Sequence, residues 1–172
     1  EEYFKNDLLV TEEKFRIARE VADWEEMIIS TSKPKSYSLY VSIPFCPSRC
    51  SYCSFVSHSV ENDKAKNLLP QYVELLSKEL SITGEIAKNI GVSLESIYIG
   101  GGTPTTLSAE QLETVLNSIE NNFDLKTCRE FTVEAGRPDT ITEEKLSVLK
   151  NSPVDRISIN PQTFNNSVLE AV

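Results

Sequence analysis

The chain has 172 residues, 40% of them hydrophobic and 25% charged, with a formal net charge of −9. This indicates a globular protein of about one domain that can bury a core, and the scattered basic residues do not form the clustered face that a nucleic-acid-binding protein needs. No apolar run reaches the length of a membrane span, and residues 1–30 lack a signal-peptide pattern.

The first predicted element is a helix from Thr11 to about Ile29. Thr11 is a suitable N-cap, and two glutamates follow it in the first turn, where acidic side chains favour the helix dipole. The apolar residues that fall near one face are Phe15, Ala18, Ala22 and Met27. Pro34 breaks the pattern. We therefore expect residues 1–35 to form a helical linker segment and residues 36–172 to begin a second domain.

Strands and helices alternate through the rest of the chain. The predicted strands are Ser38–Ile43, Leu94–Ile99, Glu130–Ala135 and Asp155–Ile159. The predicted helices run from Pro70 to near Gly91, from Ser108 to Asn121 and from Thr142 to Lys150, and another begins near Asn165. Four such repeats imply right-handed βαβ units and a parallel sheet. Four strands do not close a barrel, so we expect a partial TIM-like (β/α) barrel, truncated after the fourth strand, in a piece of a longer α/β protein.

Two details of the helices can be checked directly. Pro70 is expected in the first turn of its helix, because proline lacks the N–H that this turn leaves unused. The apolar stripe of that helix is predicted to be Val73, Leu76, Leu80 and Ile86. Ser108 and Thr142 are predicted to cap the next two helices.

The loops after the four strands carry the unusual residues. Three cysteines follow the first strand, and Gly100-Gly101-Gly102 follows the second. Gly136-Arg137-Pro138 and Asn160-Pro161-Gln162 follow the third and fourth. In barrels and open α/β sheets the C-terminal ends of the strands carry the chemistry. The sequence therefore predicts a functional site at this edge.

The cysteines have the spacing Cys46-x3-Cys50-x2-Cys53. Thiolates are soft ligands for zinc, copper(I) or iron–sulfur clusters. Structural zinc takes four ligands, and the lone histidine, His58, is one candidate for the fourth. A 4Fe–4S cluster held by three thiolates leaves one iron open to a chelating cofactor. Cys128 is interpreted as a structural core cysteine. A tight thiol cluster without an export signal favours a reducing compartment, so we expect a cytoplasmic protein.

The cysteine spacing after a first strand, with an aromatic residue just before the third cysteine, resembles the radical S-adenosylmethionine (SAM) signature. Four longer segments are similar to the oxygen-independent coproporphyrinogen III oxidase family, which includes heme chaperones. They are Tyr40-Val-Ser-Ile-Pro-Phe-Cys46, Tyr98-Ile-Gly-Gly-Gly-Thr-Pro-Thr105, Val133-Glu134 and Arg156-Ile-Ser-Ile-Asn-Pro-Gln162. The similarity spans about residues 38–172 and, through Glu134-Ala-Gly-Arg-Pro-Asp139, is greatest to the HemZ-like branch.

The resemblance implies a radical SAM barrel in which Cys46, Cys50 and Cys53 hold a 4Fe–4S cluster whose fourth iron takes the amino and carboxylate groups of SAM. The residues that it implies for SAM binding are Tyr40, Tyr52, Gly101, Gly102, Thr103, Glu134 and Gln162. It assigns no catalytic residue beyond the cluster ligands. It leaves Arg137 unassigned, either as a partner for a carboxylate or as a structural residue.

The function implied is a radical SAM oxidoreductase that converts coproporphyrinogen III to protoporphyrinogen IX in heme biosynthesis, with a low-potential electron donor. The best-known oxidase branch has a further cysteine where this chain has Phe55. Heme chaperones also lack that cysteine, so a heme-binding chaperone is an alternative, as are a radical SAM methyltransferase and a zinc-stabilised α/β domain. The expected small-molecule partner is a tetrapyrrole. A family arginine that contacts SAM would fall beyond residue 172.

Overall fold

The computed structural model of the protein describes residues 1–55 and 57–170. It has two compact units, Glu1–Pro34 and Lys35–Val172, the last two residues of the second lying outside the described part. Among the described residues, every helix is too short or too polar to cross a bilayer.

The first unit contains a π-helical turn at Tyr3–Asp7 and helix α1 (Glu12–Ser30). The predicted N-cap is confirmed, since the Thr11 hydroxyl accepts a hydrogen bond from the Lys14 N–H at 3.4 Å. No residue of α1 is fully buried. Of its predicted apolar face, Phe15 is half-buried against Phe4, with ring centroids 5.7 Å apart, and Ala18, Ala22 and Met27 are exposed. The role of this unit as a linker stays a prediction.

The second unit is an α/β fold with a four-stranded parallel sheet. Its elements are β1 (Ser36–Ile43), β2 (Phe45–Cys46), β3 (His58–Ser59), α2 (Asp63–Ile90), β4 (Ser93–Gly101), α3 (Ala109–Asn122), β5 (Glu130–Glu134), α4 (Glu143–Lys150), β6 (Arg156–Ser158) and α5 (Asn166–Leu169). Short 3₁₀ turns occur at Pro104–Thr106, Leu125–Thr127 and Pro138–Thr140. The sheet order is β1-β4-β5-β6, with every pair parallel. The sequential order is that of a partial barrel, and the predicted fold class is confirmed.

The hydrophobic core lies between one face of the sheet and the helices. Alternate strand residues such as Ile43, Ile97 and Val133 are buried there with side chains from α2, α3 and α4. The predicted stripe of α3, from Leu112 to Ile119, is buried as expected. Each fully buried aliphatic side chain of this kind contributes about 1.5–3 kcal/mol. This burial stabilises the packing of the sheet against the helices, and so the position of the edge at which the strands end.

Helix α2 differs from the prediction in two respects. It begins at Asp63, two turns before Pro70, because the Asn62 carboxamide oxygen accepts a hydrogen bond from the Lys64 N–H at 2.9 Å and caps the helix there. Pro70 therefore lies inside the helix, where one backbone hydrogen bond is lost. Ile86 is exposed and Ala87 is buried in its place, since Ala87 lies seven residues after Leu80 on the same face.

The β2–β3 pair was not predicted, because two-residue strands carry no readable periodicity. The His58 N–H donates to the Pro44 carbonyl at 2.8 Å, and the Val60 N–H donates to the Cys46 carbonyl at 2.9 Å. This separate two-stranded pair joins the two ends of the loop that contains Cys50 and Cys53.

Candidate active site

The three cysteines lie at the C-terminal edge of the sheet. Cys46 is on β2 and only 9% exposed, whereas Cys50 and Cys53 are partly exposed on the loop that follows. The Cys53 N–H donates to the Cys50 carbonyl at 3.1 Å, which curls the loop between these two residues. All the cysteines of the chain are free thiols. One cysteine is therefore held on the β2–β3 pair, and the other two lie on the loop that follows.

The glycine turn at the end of β4 packs directly against the first cysteine. The Gly102 N–H donates to the Ile43 carbonyl at 2.8 Å. A Cβ on Gly102 would lie 2.7 Å from the Phe45 carbonyl oxygen and 2.9 Å from the Cys46 sulfur. Gly101 has φ +112°, and a Cβ there would lie 2.8 Å from the Ile43 nitrogen. These glycines let two backbone segments approach each other; their predicted contact with SAM stays a prediction.

Thr103 holds Cys46 in place. It is buried, its N–H donates to the Phe45 carbonyl at 2.8 Å, and its carbonyl accepts from the Thr106 N–H at 2.9 Å. Its hydroxyl donates to the Cys46 sulfur at 3.4 Å. Every polar group of Thr103 thus has a partner within the protein. Its predicted contact with SAM remains untested, but the geometry gives it a positioning role for the first cysteine.

A cavity of about 190 Å³ brings most of the predicted site together. Nine of the ten predicted residues line it: Cys46, Cys50, Cys53, Tyr52, Gly101, Gly102, Thr103, Glu134 and Gln162. Tyr40 lies outside. Its ring is 60% exposed and stacks on the ring of Tyr98, with centroids 6.0 Å apart, on the face of the sheet away from the helices. The cavity also contacts Phe55 and Arg137.

A hydrogen-bonded pair connects the cysteine loop to the last strand. The Tyr52 hydroxyl donates to the Gln162 side-chain oxygen at 2.8 Å, and the Gln162 amide donates to the Gly136 carbonyl at 3.4 Å. Gln162 has φ +63°, a left-handed conformation that is unfavourable for a residue with a Cβ. The Asn160 side chain accepts its N–H at 3.1 Å and stabilises this turn. The loops after three strands therefore meet at the cavity.

Glu134 supplies a carboxylate to the cavity at the end of β5. Burial raises its pKa above the ordinary value. Within the described part of the chain it takes part in no salt bridge. A Cβ on Gly100 would lie 3.0 Å from one of the Glu134 carboxylate oxygens, so β4 needs a residue without a side chain at this position. A carboxylate in this setting can accept hydrogen bonds from a cationic or hydroxylated ligand.

Arg137 is the functional-site residue that sequence reasoning left unassigned. Its guanidinium donates to the Cys50 sulfur at 3.4 Å and to the Ser48 hydroxyl at 3.2 Å. It also pairs with Asp139, which raises the pKa of the arginine. The signal in the sequence was an arginine two residues before an aspartate, after a strand that ends at the predicted site.

The donor set fits an iron–sulfur cluster. Among residues 1–55 and 57–170, no three or more His, Cys, Asp or Glu side chains converge as a single metal ion requires. A cluster instead takes each thiolate on a different iron, so its ligands are more widely spaced. The three sulfurs line one cavity that has room beside them. The remaining thiol is not part of this set: burial raises the pKa of Cys128, and its sulfur donates to the Glu130 carbonyl at 3.4 Å. His58 lies apart from the cavity, on a surface depression beside Arg49.

The sequence profile that matches this chain is that of the radical SAM superfamily, over residues 40–172. The chain belongs to the radical SAM superfamily. Its members use a 4Fe–4S cluster and SAM, which are the two cofactors predicted from the sequence.

Within this superfamily, the chain is similar to proteins of the coproporphyrinogen III oxidase and heme chaperone type. The chain is 39% identical to the oxygen-independent coproporphyrinogen-III oxidase-like protein HemZ of Bacillus subtilis, over 98% of this chain and 34% of HemZ. It is 42% identical to the heme chaperone HemW of Lactococcus lactis, over 80% of this chain and 34% of HemW. The structure of coproporphyrinogen III oxidase (HemN) from Escherichia coli, a radical SAM enzyme, matches with a TM-score of 0.66 and 28% identity, over 78% of this chain and 30% of HemN. The chain spans about a third of the length of these relatives, and the predicted family resemblance is confirmed.

Proposed function

We propose that Cys46, Cys50 and Cys53 hold the 4Fe–4S cluster and that the protein reductively cleaves SAM. The observation that carries this proposal is the cavity at the C-terminal edge of the sheet, where all three sulfurs meet the loops that follow β4, β5 and β6. Held by these three thiolates, a 4Fe–4S cluster would supply the electron for reductive cleavage of SAM, which is the chemistry that starts hydrogen abstraction from a substrate.

The protein's own residues would bind and orient these groups. Thr103 fixes the Cys46 sulfur from the buried side. Glu134 and Gln162 present hydrogen-bond acceptors from the loops after β5 and β6, suited to the ammonium and hydroxyl groups of SAM. The hydrogen bond between the Tyr52 hydroxyl and the Gln162 side chain joins two of the loops that line the cavity.

We further propose that the substrate is coproporphyrinogen III, decarboxylated oxidatively at its propionates to give protoporphyrinogen IX. The similarity to HemZ and HemN supports this assignment. The reaction requires a low-potential electron donor to the cluster. Thiolates kept as iron ligands favour a reducing compartment, and we place the protein in the cytoplasm on that ground.

A heme-binding chaperone is the second candidate. The similarity to HemW supports it, since it reaches 42% identity. Phe55 supports it as well, because this exposed ring contacts the cavity at the position where the best-known oxidase branch has a further cysteine. An apolar ring there can contact a flat macrocycle but cannot bind iron.

The test uses the full-length protein, reconstituted anaerobically with iron and sulfide. SAM, a low-potential reductant and coproporphyrinogen III are added, and 5′-deoxyadenosine and protoporphyrinogen IX are quantified together. We expect both to rise in step. 5′-Deoxyadenosine without protoporphyrinogen would refute the substrate assignment; heme titration and methyl transfer from labelled SAM would then separate a chaperone from a methyltransferase. The absence of both products would refute the proposed function.

Replacement of the cluster cysteines tests the ligand set. We expect Cys46→Ala, Cys50→Ala and Cys53→Ala each to lose SAM cleavage and most of the bound iron and sulfide, because each removes one of three thiolate ligands. Cys128→Ala is the matched control, since its thiol lies outside the cavity, and it should keep the iron content of the parent. Full SAM cleavage in any of the first three variants would contradict the assignment.

A further inference from the structure

Arg137, which is not a proposed cluster ligand, donates a hydrogen bond to the sulfur of one that is. One terminal nitrogen of its guanidinium donates to the Cys50 sulfur at 3.4 Å. The other donates to the Ser48 hydroxyl at 3.2 Å and to the Asp139 carboxylate at 2.9 Å, and the Arg137 Nε donates to the same carboxylate at 3.1 Å. The side chain is mostly covered, with 22% of it exposed. All three guanidinium nitrogens therefore donate hydrogen bonds, one of them to the sulfur of a proposed cluster ligand.

The position of Arg137 is fixed by contacts within the protein. Its carbonyl accepts two hydrogen bonds from Thr140, from the N–H at 3.0 Å and from the hydroxyl at 2.6 Å. The buried Thr140 hydroxyl also bonds the Thr105 hydroxyl, just beyond the glycine turn. Pro138 limits the backbone that follows. Thr140 and Thr105 hold the Arg137 backbone, and Asp139 holds its guanidinium. Because the side chain is already ordered, little conformational entropy is lost when it donates a hydrogen bond to the Cys50 sulfur.

We propose that Arg137 raises the reduction potential of the cluster by donating an N–H to the Cys50 sulfur. The inference rests on the proposal that the three cysteines hold that cluster. Reduction adds one electron from the low-potential donor to the cluster; no bond forms or breaks, and the guanidinium keeps its protons. A donor on a ligand sulfur stabilises the more negative, reduced state, and hydrogen bonds to the sulfurs are one of the protein's means of setting this potential.

The hydrogen bond, more than the net charge, carries the effect. Asp139 neutralises much of the guanidinium charge, because it accepts from two of its nitrogens. Arg49 provides the contrast. It adjoins Cys50 in the sequence, is exposed, and within the described residues makes no hydrogen bond to a cysteine sulfur. The two arginines thus separate a directed hydrogen bond from a nearby solvated charge, which water and salt screen.

The experiment is a redox titration of the full-length protein, reconstituted anaerobically and without SAM, in which the paramagnetic reduced cluster is followed by electron paramagnetic resonance. For Arg137→Gln we expect a lower midpoint potential, by about tenfold in the reduction equilibrium constant or ~59 mV for a one-electron couple. Arg49→Gln, which removes the same charge, should shift the potential by much less. Iron and sulfide are counted first in each variant.

Two results would overturn the inference. They are an unchanged potential in Arg137→Gln and an equal shift in Arg49→Gln. If Arg137→Gln does not load, Arg137→Met replaces it, because its side chain has no donor; a lower potential supports the inference and the parent's potential refutes it. A parent protein that holds no cluster would refute the proposed function itself, a failure that the iron count shows separately.

Discussion

The two faces of the four-stranded sheet are made by neighbouring residues of the same strands, yet they differ in what covers them. On β4, Ile97 is 1% exposed against the helices, whereas the next residue, Tyr98, is 37% exposed on the other side. We call these the helix-covered face and the open face. Since successive side chains of a strand point to opposite faces, the first can specify the fold while the second remains available for binding.

The open face satisfies its own polar groups across the strands. Arg156 donates to both carboxylate oxygens of Glu130 at 3.0 Å, and the Thr132 hydroxyl donates to the same carboxylate at 2.8 Å. Such exposed pairs contribute little to stability. Glu134, one pleat further along β5, takes part in no salt bridge among the described residues. In the middle of the open face the charges of Arg156 and Glu130 are therefore paired. At the edge where the cysteines lie, the Glu134 carboxylate remains as a hydrogen-bond acceptor.

The largest expected difference between the faces is in the cost of a truncation. Ile97→Ala should lower the free energy of unfolding by about 2–5 kcal/mol, because it leaves a cavity among residues that cannot fully close around it. Tyr98→Ala, one residue away, should cost less, since its ring is partly solvated and loses chiefly the stacking on Tyr40. Denaturant unfolding of both variants measures this. Equal losses would show that the open face also specifies the fold.

The sequence predicted the features of the fold that follow from hydrophobic periodicity and from helix N-caps. The α3 stripe and its Ser108 cap are found as expected, and the Ser108 N–H donates in return to the Gln111 side-chain oxygen at 2.9 Å. The parallel sheet followed from the alternation of elements. The start of α2 was missed because Asn62 lies in a polar stretch with no apolar pattern before it. The β2–β3 pair was missed because two residues show no period.

The site was predicted as a set of residues but not as a set of contacts. The spacing of the cysteines indicated which loop mattered, and nine predicted residues line one cavity. The spacing did not indicate that Thr103 bonds the Cys46 sulfur or that Arg137 bonds the Cys50 sulfur. Both contacts join residues far apart in the chain, and a single sequence holds no signal for such pairs. The predicted contact of the glycines with SAM stays a prediction, and what the sequence did not indicate is that they also let two segments of the chain's own backbone approach each other.

A glycine comparison tests how tightly the cysteine edge is packed. Gly102→Ala should cost about 1–3 kcal/mol by overpacking, because its new Cβ would meet the Phe45 carbonyl and the Cys46 sulfur. It should also lower the iron content after reconstitution, since Cys46 must move. Gly91→Ala is the control. It ends α2 with φ +67° in open space, so it should cost about 1 kcal/mol from backbone strain alone and keep the cluster.

If both glycine variants bind iron as the parent does, the contact between the glycine turn and Cys46 does not position the ligand. The measurement is iron and sulfide per chain, with the free energy of unfolding determined alongside. A loss of iron in Gly91→Ala would instead show that cluster loading follows overall stability, because that residue lies at the opposite edge of the sheet.

The smallest expected effect contrasts the two glutamates of β5. Burial raises the pKa of Glu134, whereas hydrogen bonding by Thr132, with a further contribution from Arg156, lowers the pKa of Glu130. The folded protein therefore disfavours the ionised form of Glu134 and favours the ionised form of Glu130. Glu134→Gln should therefore raise the free energy of unfolding at neutral pH, by less than about 1 kcal/mol because the carboxylate is partly solvated. Glu130→Gln should lower it.

The two substitutions should also differ in how their effects on the free energy of unfolding depend on pH. As pH falls through the raised pKa of Glu134, the folded state takes up a proton before the unfolded state does, so the parent gains stability and the advantage of Glu134→Gln shrinks. The contribution of Glu130 is present above its unfolded pKa, about 4.3, and is lost as pH falls through its lowered folded value. Unfolding at a series of pH values measures both differences, which should have opposite signs at neutral pH and converge towards acid. A destabilised Glu134→Gln would mean that this carboxylate has a partner in the folded protein and is not held ready for a ligand.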